Sequence, residues 1–78
     1  MAEQKIKQDG IKIGENIREI RISRKIGQTE LVRELDLLGV PLTREALVKI
    51  ERGNQHITAL QLRAIRDALN TTFNELLK

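Results

Sequence analysis

Isoleucine and leucine recur at helical spacing along most of this chain, and the residues interrupting them are good helix stops. Ile13, Ile17 and Ile20 fall at i, i+4, i+7 and predict a first helix over about Ile11 to Lys25. Leu31, Leu35 and Leu38 repeat the spacing, with Val32 beside them, and predict a second helix from Gln28 that buries all three leucines. The run "GVPLT" breaks the pattern, because Pro41 has no amide hydrogen and biases Val40 away from helix. Thr43 fits the N-cap of a third helix, which Gly53 ends. Thr58 and Gln61 form a capping box opening a fourth helix, with Leu62, Ile65 and Leu69 inward and Asn70 as a left-handed stop. Thr72 and Glu75 form a second box, for a short last helix carrying Phe73, Leu76 and Leu77. No segment alternates apolar and polar residues over strand length, so the prediction is all-α: a compact five-helix domain over residues 10–78. Residues 1–9, polar and lysine-bearing, are expected to form a flexible N-terminal arm.

Composition narrows this picture. A chain of 78 residues is one domain with a small core, and since Phe73 is the only aromatic residue, that core must be Ile, Leu, Val and Ala. The absence of cysteine excludes disulfides and thiolate metal sites. No apolar run approaches the roughly 20 residues that span a bilayer, and the N-terminal stretch has no signal-peptide block. The expectation is a soluble, cytoplasmic protein with no membrane partner. The net charge of +3 suits a polyanionic partner without requiring one. Residues 28–56, however, carry 4 Lys+Arg against 5 Asp+Glu, which counts against such a partner there.

The third helix carries the most suggestive chemistry. On a wheel of about 100° per residue, Ala46, Leu47 and Ile50 gather on one side, and Arg44, Glu45, Val48, Lys49 and Arg52 on the other. A side built only for solubility has little use for Val48. The plain alternative is that Glu45 and Lys49, at i, i+4, form a solvated ion pair worth a few tenths of a kcal/mol and that Val48 is an ordinary exposed hydrophobe. Elsewhere the chemistry is sparse. His56 stands alone, so no metal site is expected. Glu30, Glu34 and Asp36 read as a polar helix side without nucleophile or base, so neither catalytic residues nor a cofactor are expected. Leu60 and Ile22 fall off their inner stripes and are candidates for contact with a second copy.

The order of the pieces resembles the lambda-repressor/Cro-type, or XRE-type, helix-turn-helix family. The matching stretches are "IGENIREIR", "GQTELVREL", "REALVKIERG" and "QLRAIRDALNTTFNELL", which cover Ile11 to Leu77. Gln28 matches the glutamine opening the motif's second helix, and "KIERG" matches the ending of its recognition helix. Three departures stand out. Lys25 replaces the usual glycine, Gly27 replaces the usual Thr or Ser cap, and "LDLLGVPLT" lengthens the turn by about five residues, which bears on how the two helices cross.

The resemblance implies sequence-specific binding of double-stranded DNA by a repressor-like transcriptional regulator, in general a homodimer, either standing or formed on DNA. It also implies an ion pair between Arg21 and Glu51, which would stop Glu51 repelling phosphate. Base edges in the major groove then suit Arg44 for guanine, Glu45 for a cytosine amino group, Val48 for a thymine methyl, and Lys49 for a base or a phosphate. Gln28, Thr43, Arg52, Asn54 and Gln55 suit the DNA backbone. A protein-interaction module of the same fold, an antitoxin or adaptor, is the alternative, favoured by the acidic middle segment and by Val48.

Overall fold

The computed structural model describes residues 5–6 and 10–78. Among these, five helices are formed: α1 (Ile13–Ser23), α2 (Gln28–Leu37), α3 (Arg44–Glu51), α4 (Ala59–Leu69) and α5 (Phe73–Leu77). The one extended element pair is a two-residue antiparallel ladder of β1 (Lys5–Ile6) and β2 (Ile57–Thr58). Two residues of the segment expected as an arm thus pair with the α3–α4 connection; the remainder of that segment lies outside the described residues. The all-α class stands, with this ladder as its single addition.

The core is aliphatic, as the composition requires. Ile13 and Ile17 of α1, Leu31 and Leu35 of α2, Leu47 and Ile50 of α3, Leu62, Ile65 and Leu69 of α4, and Leu76 of α5 are all buried together. Ile57 of β2 joins them. Truncating any of the fully buried members to alanine would cost about 2–5 kcal/mol, because the transfer term and the cavity term add.

Four helices end in the same way. Lys25, Gly39, Gly53 and Asn70 adopt left-handed backbone, with φ of 58°, 78°, 78° and 52°. In each case the next amide reaches back to a carbonyl in the last helical turn: Ile26 to Arg21, Val40 to Leu35, Asn54 to Lys49 and Thr71 to Arg66. This is the Schellman closure, in which orphan helix carbonyls find donors in the reversing chain. It corrects two expectations. α1 stops at Ser23 rather than Lys25, because Lys25 itself takes the left-handed position. Leu38 is not buried but 49% exposed. α2 closes one residue before it, and Val40 and Leu42 pack onto the core beyond Gly39 instead. The lengthened turn is therefore held from within, not draped over the surface.

The caps mostly follow the sequence. Thr43 Oγ1 accepts from the Ala46 amide at 3.0 Å. Thr58 and Gln61 complete both bonds of their box, at 3.1 and 2.9 Å. Thr72 Oγ1 accepts from the Glu75 amide at 3.2 Å, but the Glu75 carboxylate turns to Lys78 Nζ at 3.1 Å rather than back to Thr72. α5 is fastened at its far end by Asn16 of α1, whose Nδ2 donates to the carbonyls of Leu76 at 2.9 Å and Lys78 at 3.1 Å. Phe73 is 37% exposed, with the Arg66 guanidinium 4.4 Å from its ring centre.

Candidate nucleic-acid interface

The interface starts from how α3 is held. Leu47 and Ile50 are fully buried, and Glu51 is buried with them. Glu51 meets Arg21 in a two-point ion pair, Nε to Oε2 at 2.8 Å and Nη2 to Oε1 at 3.0 Å. The third arm of the guanidinium, Nη1, donates to the Ile26 carbonyl at 2.9 Å. Gln28 Nε2 donates to Glu51 Oε1 at 3.2 Å. One carboxylate thus organises α1, the α1–α2 turn and the start of α2, and its charge is neutralised where it stands. Among the described residues no buried side-chain polar atom lacks a partner.

The opposite side of α3 is open. Arg44, Glu45 and Lys49 are exposed, and Val48 is half-buried between them and the core side. No ion pair forms between Glu45 and Lys49 among the described residues, so the plain explanation for their spacing does not apply. Arg52 caps the helix with its side chain exposed, followed by exposed Asn54 and half-buried Gln55. With Glu51 paired inside, α3 and its cap present three cations against the single carboxylate of Glu45. The acidic count of the middle segment does not describe this side of α3: Glu51 is buried and paired, and Glu30, Glu34 and Asp36 lie on α2.

Gln28 sits at the first turn of α2 as expected, but its side chain is engaged with Glu51 rather than turned outward. Gly27 offers no side chain, so the first amides of α2 have no side-chain cap, unlike those of α3. Such open amides and the helix dipole favour an anion. Thr43 spends its oxygen on capping, which leaves its hydroxyl hydrogen free to donate.

One neighbour was invisible in the sequence. Lys12, at the N-cap of α1, lines a groove of about 180 Å³ together with Glu15, Arg52 and Gly53. It lies forty positions from Arg52 in the chain, and no local pattern links the two. A second groove, of about 420 Å³, runs between the outer side of α2 (Val32, Arg33, Asp36) and the turn (Pro41, Leu42, Thr43). Among the described residues no group of His, Cys, Asp and Glu could hold a metal, and no helix is long and apolar enough to cross a membrane.

Among the described residues, five helices surround an aliphatic core, with α2 and α3 packed as a pair and α3 open on one side, in a helix-turn-helix fold. Among solved structures, the chain is similar to the restriction-modification controller protein C.AhdI from Aeromonas hydrophila, with a TM-score of 0.74 and 24% sequence identity over 86% of this chain and 94% of that one. No family model and no curated protein matches. The structural likeness bears out the fold that the four sequence stretches implied.

Proposed function

We propose that residues 10–78 are a sequence-specific DNA-binding domain, that α3 enters the major groove of double-stranded DNA, and that the protein is a repressor-like transcriptional regulator acting in the cytoplasm. The observation that carries this reading is the division of α3. Leu47, Ile50 and Glu51 hold the fold, while Arg44, Glu45 and Lys49 are exposed, without an ion-pair partner among the described residues, and flank Val48. The fold shared with a restriction-modification controller supports a regulatory role.

In this reading Arg44 bonds bidentately to a guanine, Glu45 accepts from a cytosine amino group, and Val48 meets a thymine methyl. Lys49 reaches a base or a phosphate. Thr43, the amides beside Gln28, and Arg52, Asn54 and Gln55 hold the phosphates, and Lys12, 3.9 Å from Glu15 in an exposed ion pair, lines the same groove as Arg52. Two copies would bind successive major grooves about 34 Å apart, as homodimers of this fold do. The test is selection of duplexes from a random pool, followed by binding at graded salt. Affinity should fall linearly in log–log form as phosphate contacts are screened, and the selected site should be two-fold symmetric.

A protein-interaction module, antitoxin or adaptor, is the second reading. Leu37 and Leu38, 74% and 49% exposed on the outside of the turn, favour it. A chain that binds no duplex even at low salt would decide for it.

A further inference from the structure

The outward surface of α2 is divided by charge. At about 100° per residue, Glu30 and Glu34 fall together on one side, while Thr29, Arg33 and Asp36 fall on the side that faces the turn. That second side forms one wall of the groove of about 420 Å³, and the turn with Thr43 forms the other. Val32 and Leu42, both half-buried and packed on the core, lie beneath. Thr29 and Arg33 are exposed, and the Arg33 guanidinium has neither a hydrogen bond nor an ion pair among the described residues. Asp36, three positions on and the one carboxylate lining the groove, does not engage it. The groove also lies between two places proposed above to meet phosphate: Thr43, and the amides at the start of α2 next to Thr29.

We infer that Arg33 is a further contact to the DNA backbone, taking a phosphate at the mouth of this groove with the hydroxyls of Thr29 and Thr43, a role that rests on the DNA reading above. A strand that meets both the start of α2 and Thr43 must cross that mouth. There the arginine fork can bond two oxygens of one phosphate, and the two hydroxyls can donate to it. The apolar residues beneath keep water from one side of the contact, which strengthens a charge-assisted bond. Glu30 and Glu34 lie off the strand's path. Asp36 opposes a phosphate there, so removing its charge should help binding. Phosphates carry no sequence, and Arg33 therefore sets affinity and salt dependence rather than the choice of site.

The test uses full-length chains carrying Arg33→Gln, Arg63→Gln or Asp36→Asn beside the parent. Arg63, an exposed arginine of α4 outside the proposed interface, controls for loss of charge alone. Binding to a selected and a random duplex is measured at graded salt, and the selected duplex is scanned with an uncharged methylphosphonate replacing one phosphate at a time. Arg33→Gln should weaken both duplexes about tenfold and flatten the log–log salt slope by about one. Arg63→Gln should weaken them by under about threefold, because an exposed distant charge is screened. At one phosphate of the selected site, the replacement should weaken the parent about tenfold and Arg33→Gln by under about twofold, since the two changes remove the same contact. Asp36→Asn should bind both duplexes at least about twofold more tightly. Equal losses from Arg33→Gln and Arg63→Gln overturn the contact, as does a scan in which every phosphate matters as much to Arg33→Gln as to the parent. Unchanged or weaker binding by Asp36→Asn overturns it equally. A parent that binds neither duplex at low salt overturns the DNA reading itself, an outcome distinct from a parent that binds and is indifferent to Arg33.

Discussion

Arg21 and Glu51, thirty positions apart, meet in a buried fork of two charge-assisted hydrogen bonds, with side-chain exposures of 9% and 2%. Removing one partner strands the other charge away from water, which costs far more than the intact pair contributes. Arg21→Ala or Glu51→Ala should lower the unfolding free energy by about 3–5 kcal/mol. Denaturant titration with an unchanged m-value would confirm it, whereas a loss below about 1 kcal/mol would show that water reaches the site. Arg21→Lys should fall in between, since a point charge cannot reproduce the fork or reach the Ile26 carbonyl as well.

Lys25 occupies a left-handed position at φ 58° that two other helix ends give to glycine. A side chain with a Cβ is strained there by about 1–2 kcal/mol, and glycine is not. Lys25→Gly should therefore stabilise the protein, by about 1 kcal/mol after the greater entropy of the unfolded glycine is set against the relief. Thermal unfolding of the two chains is the check. An unchanged or lower midpoint would mean that the lysine stem packs well enough to offset its backbone.

Asn16 spends both amide hydrogens on the last turn of α5. Asn16→Ala should cost about 1–2 kcal/mol, roughly the net worth of two hydrogen bonds of which one is exposed. The loss should be felt locally, as faster amide exchange over residues 73–77. Uniform acceleration across the whole domain, with none specific to α5, would contradict the assignment.

Arg44 and Arg52 are predicted to fail differently on DNA. Arg44→Ala should relax preference at one base position by about 1–3 kcal/mol of discrimination, measured against a panel of single-base variants of the selected site. Arg52→Ala and Lys12→Ala should each weaken all duplexes alike and flatten the salt slope by about one. Equal, sequence-independent losses from all three would remove Arg44 from the base-reading set.

What could be read in the sequence follows from how far each signal reaches along the chain. Helix spacing, caps and left-handed stops are set by residues within one turn of each other, so the five helices, Thr43, the Thr58–Gln61 box, Gly53 and Asn70 were all legible. Leu38 was misjudged because its spacing continues a helix that Gly39 has already closed. The β1–β2 ladder left no trace, since two residues carry no periodicity and their partners lie some fifty positions away. Of the candidate interface, the outward side of α3 was readable from its wheel. The engagement of Gln28 with Glu51 and the nearness of Lys12 to Arg52 were not, because packing alone creates them.

The split of α3 into a side that holds and a side that is open has a practical consequence. The side chains of Arg44, Glu45 and Lys49 are exposed, so these three positions should accept exchange among helix-forming residues at little expense to folding. Val48, half-enclosed, tolerates exchange among small aliphatic residues only. If the open side of α3 is the binding surface proposed above, a library confined to these four places would vary what the protein attaches to while leaving Leu47, Ile50 and Glu51, which hold the helix, untouched.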